Sequence, residues 1–504
     1  MSAIASTANG RVEGQPRGAH VAFRGIPYAK PPVGALRFRA PEPPESWPGV
    51  RPARTFSKVA LQGATSAPGM LADGEQSEDC LYLNVYTPAL DGARRPVMFW
   101  IHGGAFTLGS ASQPIYDGGP LAERGDVVVV TINYRLGALG YSYLGAHGDW
   151  GATANAGQLD QIAALRWVRE NIEAFGGDPG NVTIFGESAG SMAVCCLLAM
   201  PAAQNLFHRA IAQSGASVTV MTQDAGAKVA EALLAELGIA ETDSQRLQEV
   251  PVERLVLAQS AAARNAPAMR GYAPVLDATT LPKQPGALFA AGGGANVPLV
   301  IGTNRDEMNL FNMQMLRELD KPMDDARALD VIGRMLPASA ADRAGAILEV
   351  YRKSRGSRSL PSTNRALIGA VQSDQRFRIP SVRFAEAYRS RNPNTFMYLF
   401  TYESPAMRGA LRACHALEIP FVFGTLDAPF QDKFAGKGPA VQALSEQMMD
   451  AWLGFARRGQ PGHPRLGDWI PYDSDRRATM MFDTKCGLED APYEEERACW
   501  DGVL

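Results

Sequence analysis

No run of eighteen or more apolar residues occurs in the chain. The longest apolar stretches, such as Val127–Val130 and Met192–Met200, fall far short of a bilayer span. Cysteine is also scarce: Cys80, Cys195, Cys196, Cys414, Cys486 and Cys499 include no C-x-x-C pair. That excludes the usual zinc and dithiol spacings, and the density is far below that of a disulfide scaffold. Charged residues make up 20%, and 49 basic against 52 acidic side chains leave a net charge of −3. A chain so balanced offers no basic face for nucleic acid. Met1–Arg11 lacks the basic head and apolar run of a secretory signal, and Trp500–Leu504 carries no lipidation or retention motif. The expectation is a soluble cytoplasmic protein with no membrane span.

What the chain does have is length and turn residues. Its 504 residues correspond to about three average domains. Gly 50 and Pro 35 exceed the average share of about 12%. Together with 46% hydrophobic residues and a mean hydropathy of −0.13, this describes a large core surrounded by many loops. There is no internal repeat, and the one run of three glycines, Gly292–Gly294, reads as a surface loop.

Strand-like and helix-like segments alternate. Pro96–Ile101, Val127–Ile132 and Val182–Phe185 are short apolar runs bounded by turn residues, the pattern of parallel strands covered on both faces. Val297–Ile301 and Thr395–Phe400 extend the series. Gln158–Phe175 carries Ile162, Leu165, Val168 and Ile172 at helical spacing and stops at Gly176-Gly177. Asp178–Asn181 reads as a turn, and a helix follows Gly186 through Met200. Asp224–Leu237 and Ala440–Arg457 are further helices. The result is an α/β fold with large insertions.

Gly186-Glu187-Ser188-Ala189-Gly190 is a G-x-S-x-G. The pattern alone is short enough to arise by chance or as a structural turn. Here it stands between a strand and a helix, where a strained turn exposes a serine and aims the next N–H at developing negative charge. Serine needs a base and an orienting acid, in the order Ser, acid, His for this topology. Of six histidines only His415 and His463 leave room for an acid strand upstream. His463 sits in a Pro-Gly turn and reads as a loop residue; His415 is the better base. Asp306 and Glu307 both follow the Val297–Gly302 strand, and position alone leaves either as the acid. His102-Gly-Gly-Ala-Phe106 follows a strand upstream and fits a loop that donates backbone N–H groups to an oxyanion.

On these residues the chain resembles the type-B carboxylesterases, which include bacterial p-nitrobenzyl esterases, animal carboxylesterases and cholinesterases. It looks most like the bacterial group. The likeness runs nearly end to end, through Phe23–Gly34, Ser77–Asn84, Trp100–Phe106, Asn133–Arg135, Phe175–Asn181, Gly186–Ser191 and Phe207–Ile211. It implies one α/β-hydrolase unit over residues 1–504, with a large, mostly parallel central sheet flanked by helices. Insertions at about 217–294 and 310–394 would shape the substrate pocket. It implies a Ser188–His415–Glu307 triad, oxyanion donors at Gly104, Ala105 and Ala189, and supporting polar residues Glu187, Ser214 and Glu418. Arg37 and Glu78 match a structural ion pair. Ester hydrolysis through an acyl-enzyme follows, with small-molecule esters as partners, no metal and no organic cofactor.

The departures narrow the reading. Secreted relatives pair the cysteine equivalent to Cys80 with an upstream one, and this chain has none before position 80. Cholinesterases carry a tryptophan in that loop for choline, whereas none stands between Ser57 and Asp79. A lipase, a thioester or amide hydrolase, and a non-catalytic binding protein on the same scaffold remain as rivals. Tyr272 and Arg270, just before Pro274–Asp277, read equally as pocket-lining or as structural residues, and the oligomeric state is open.

Overall fold

The computed structural model describes residues 3–63, 74–148, 150, 154–265, 271–318 and 321–504. Among them run the strands β1 (Ala3–Thr7), β2 (Gly10–Arg17), β3 (His20–Pro27), β4 (Val50–Pro52), β5 (Tyr82–Thr87), β6 (Arg95–Ile101) and β7 (Val128–Ile132). They continue as β8 (Gly177–Glu187), β9 (Arg209–Gln213), β10 (Leu299–Asn304), β11 (Thr395–Phe400), β12 (Ala478–Phe482) and β13 (Gly487–Asp490). One sheet orders them β1-β2-β3-β5-β7-β6-β8-β9-β10-β11-β12-β13, with β4 paired to β2. From β7 to β12 every pairing is parallel. Antiparallel pairs flank that block on both sides.

The parallel block is where apolar runs are unbroken. β6, β7, β10 and β11 are buried along their whole length, because helices cover both faces. Alternate residues of one strand serve different cores. Val97, Phe99 and Ile101 join one cluster, whereas Met98 and Trp100 join the other. Helix Ala189–Ala199 is buried on nearly every side, which matches its apolar composition.

Strands and helices expected in the parallel block form, with ends moved by a few residues. The helix Ala156–Asn171 tightens to a 3-10 turn, Ile172–Phe175, before Gly176 takes φ 77°. Asp178–Asn181 differs from the expected turn. It lies inside β8 as an irregularity, with register jumping from Arg95 opposite Gly177 to Val97 opposite Val182. Gly180 N–H donates to Asp178 Oδ1 at 2.9 Å, which gives the segment its turn-like composition. Val297 and Pro298 precede β10 rather than belonging to it.

Two ion pairs fix long connections. Arg135, after β7, is fully buried against Asp160 of helix Ala156–Asn171, with Nη2–Oδ1 at 2.7 Å and Nε–Oδ2 at 2.8 Å. Arg37 grips Glu78 at 2.6 and 2.7 Å and donates from Nη1 to the carbonyls of Leu247, Gln248 and Val250. The latter pair therefore ties the N-terminal region to residues 247–250. No described helix is long and apolar enough to cross a membrane.

Candidate active site

Four loops at the carboxyl ends of parallel strands converge, the position at which open α/β sheets place their ligands. The first follows β8. Ser188 has φ 56° and ψ −122° and immediately precedes helix Ala189–Ala199. A turn this tight excludes side chains around it. A Cβ on Gly186 would lie 2.6 Å from the Gly190 carbonyl carbon, and one on Gly190 would collide with the Ile101 carbonyl of β6. The elbow is held by Ser188 N–H donating to Gln213 O at 2.9 Å and by Ser191 Oγ donating to Gly215 O.

The loops after β10 and β11 bring a carboxylate to an imidazole. His415 Nδ1 and Glu307 Oε2 are 2.6 Å apart, with both side chains essentially fully buried. Glu307 Oε1 accepts from the Asn304 backbone N–H at 2.8 Å, so the carboxylate is oriented from both ends. Asp306 faces elsewhere, bound to Arg305 at 2.8 Å and Arg355 at 3.0 Å. His463 contacts the Gln447 carbonyl instead. Ser188 and His415 share no hydrogen bond in this state. His415 Nε2 lies 3.0 Å from Glu187 Oε1, outside hydrogen-bond alignment.

The loop after β6 lies against the elbow. A Cβ on Gly103 would stand 2.8 Å from the Glu187 carbonyl oxygen and 3.0 Å from Ser188 Cβ. Gly104, Ala105 and Phe106 all have positive φ, at 108°, 54° and 59°. Ala105 adopts this conformation despite the steric cost of its Cβ. Among the described residues, the N–H groups of Gly104, Ala105 and Ala189 donate to no other group. His102 buttresses the loop: its ring stacks on Tyr134 and its Nδ1 contacts Gly103 O at 2.8 Å. Burial pushes the His102 pKa down to about 4, so it stays neutral.

The sequence profile of the carboxylesterase family matches residues 1–500. The chain belongs to that family. The para-nitrobenzyl esterase of Bacillus subtilis is 40% identical over 498 residues, covering 98% of this chain and 97% of its own. Human cocaine esterase is 37% identical over 481 residues, covering 91% of this chain and 83% of its own. A crystal structure of a Geobacillus stearothermophilus carboxylesterase superposes with a TM-score of 0.86 at 39% identity, over 99% of this chain and 100% of that one. The protein is a carboxylic-ester hydrolase with the α/β-hydrolase fold.

In this carboxylesterase three buried carboxylates crowd one imidazole. Burial raises Glu187 to about 8, and the Glu418 and Glu307 charges add to that effect against the pull of His415. Burial likewise raises Glu418 to about 7. Burial alone would lower His415, but Glu187, Glu307 and Glu418 outweigh it and lift the imidazole to about 9. Imidazole and carboxyl groups here titrate together, and kcat/KM is expected to rise as His415 gives up its proton. Glu187→Gln removes the carboxyl group that can ionise beside Nε2, so the imidazolium loses that support and its pKa falls. The acid limb of the kcat/KM profile is expected to move down by about one pH unit. A limb that stays in place would refute this electrostatic role.

Glu418 is fully enclosed, accepting from Gln213 Nε2 at 3.3 Å and Asn304 Nδ2 at 2.6 Å. Gln213 in turn accepts from Trp452 Nε1 at 3.0 Å. Asn304 and Gln213 were not legible as site residues. The one available signal was that each ends a buried strand with a polar side chain. Phe311 and Phe377 flank His415 with ring centroids 5.1 and 4.8 Å away. Ser214 has φ 53° and a buried Oγ without a partner. Tyr272 is buried, with its hydroxyl likewise unpartnered. Arg270 lies outside the described residues.

Proposed function

We propose that Ser188 attacks the ester carbonyl while His415 removes its proton and Glu307 steadies the imidazolium. The N–H groups of Gly104, Ala105 and Ala189 then receive the oxyanion. The tetrahedral intermediate collapses, His415 returns the proton to the departing alcohol, and water releases the acid from Ser188 by the same route. The observation that carries this reading is the 2.6 Å contact between His415 Nδ1 and Glu307 Oε2 beside a serine at positive φ. The absent Ser188–His415 hydrogen bond does not oppose it, since such contacts are often loose without substrate and tighten in the complex.

The substrates are small to medium, fairly apolar esters, in line with the Phe311 and Phe377 rings beside the base. Residues 1–504 act as one catalytic unit with pocket-shaping insertions at about 217–294 and 310–394, supported by a single sheet threading from β1 to β13. A compartment that keeps thiols reduced belongs to the same reading, supported by six free cysteines, Cys80 among them. Stopped-flow mixing with p-nitrophenyl acetate tests the chemistry. One equivalent of p-nitrophenol per chain is expected before steady turnover when deacylation is the slower step. An acyl group recovered on any residue other than Ser188 would overturn it.

A further inference from the structure

Away from the four loops, His147, Glu231 and Glu241 bring one potential ligand atom each to within 4.8 Å of one another. They come from three separate elements: the 3-10 turn Gly145–His147, helix Gln223–Leu237 and the 3-10 segment Glu241–Glu249. The His147 side chain is only 5% exposed. Its Nε2 is buried with no hydrogen-bond partner, and its Nδ1 faces Glu241 Oε2 at 3.4 Å. Ser244 Oγ donates to the His147 carbonyl and accepts from Trp150 Nε1, which pins the backbone at this point. Among the described residues neither Glu231 nor Glu241 is paired with lysine or arginine.

Two carboxylates without a basic counterpart, set beside an imidazole withdrawn from water, form an electrostatically incomplete group. A cation completes it. We propose that His147, Glu231 and Glu241 bind one divalent cation of the zinc class through one imidazole nitrogen and two carboxylate oxygens. The nitrogen donor favours such an ion over Ca²⁺ or Mg²⁺, which prefer oxygen shells. Ligand bonds of about 2 Å in a tetrahedral shell place donor atoms about 3.3 Å apart, so rotation of the exposed Glu241 side chain must close the present spacing. The remaining coordination positions open to solvent on the Glu241 side. The ion would clip the first insertion to the turn that carries His147. Its role is structural, and it does not depend on the assignment of Ser188, His415 or Glu307.

Calorimetric titration of the chelator-stripped full chain with Zn²⁺ alone tests the proposal, alongside E231Q and E241Q. One saturable site is expected in the parent and none in either variant. Glu241 is exposed, so E241Q retains the fold and keeps the test interpretable should E231Q unfold. At a hundredfold excess of Zn²⁺ over its Kd the unfolding midpoint of the parent rises by about 2–3 °C, and that of E241Q stays fixed. Turnover of a p-nitrophenyl ester by E241Q matches the parent. No saturable site, undiminished binding by E241Q, or equal saturation by Mg²⁺ would each overturn the proposal.

Discussion

Replacing Ser188 by alanine is expected to lower kcat for a p-nitrophenyl ester by about a millionfold while leaving the unfolding midpoint unchanged. The size of the loss follows from how the residues act as a unit: without the nucleophile, the base and its carboxylate have nothing to activate. What survives is the residual acceleration from backbone donors and binding alone, about 10³–10⁴ over water. The fold tolerates the change because alanine keeps a Cβ at the same position. The glycines around it, at 186 and 190, still leave room for the turn. Steady-state assays and thermal unfolding of the purified variant check both halves. Activity within tenfold of the parent would remove Ser188 from the mechanism.

Adjacent acids should separate cleanly into chemistry and stability. Glu307→Gln is expected to cost about 10⁴ in kcat, because an amide at this position supports the wrong imidazole tautomer and no longer stabilises the imidazolium. Asp306→Asn should leave kcat within a few-fold. It leaves Arg305 and Arg355 buried beside a neutral side chain, which typically costs about 3–5 kcal/mol. The acid side of the stability curve carries the same signature. Burial would raise the Asp306 pKa, but Arg305 and Arg355 overcome that and hold it at about 2, below its usual 3.8. The depressed value contributes about 2 kcal/mol of stability that is present above pH 4 and is lost as pH falls through 2. Acid denaturation of Asp306→Asn should lack that component. A larger kinetic loss from Asp306→Asn than from Glu307→Gln would reverse the two roles.

The residues whose chemistry depends on backbone conformation were the most legible. Gly186, Gly190 and Gly103 are demanded by close approaches that no side chain permits, so the motifs around Ser188 and His102 carry their structure in their spelling. Buried parallel strands such as β6 and β7 were visible for a similar reason, as both faces require apolar residues. The outer strands β1 and β2 mix exposed and buried positions in short irregular runs and gave no period to read. The choice between Asp306 and Glu307 was illegible by spacing because consecutive residues point to opposite partners. The resemblance singles out Glu307, and the fold gives the reason: Arg355, from helix Ala344–Ser357, claims Asp306 and His415 claims Glu307. Asn304 and Gln213 orient carboxylates through single hydrogen bonds, and one polar residue at a strand end has no pattern of its own.

The order of the strands has a consequence for synthesis. Ser188, Glu307 and His415, the proposed nucleophile, acid and base, follow β8, β10 and β11, which all stand side by side with β9 within the parallel block. A ribosome therefore completes the Ser188 loop long before His415 exists. β11 and the His415 loop must dock against an edge that nascent chain has already built. Until they do, β10 presents unpaired backbone groups along that edge, the kind of surface on which stalled chains stick to one another. Onset of ester turnover is in this sense a clock for the last third of the chain, registering the moment when β11 closes onto β10.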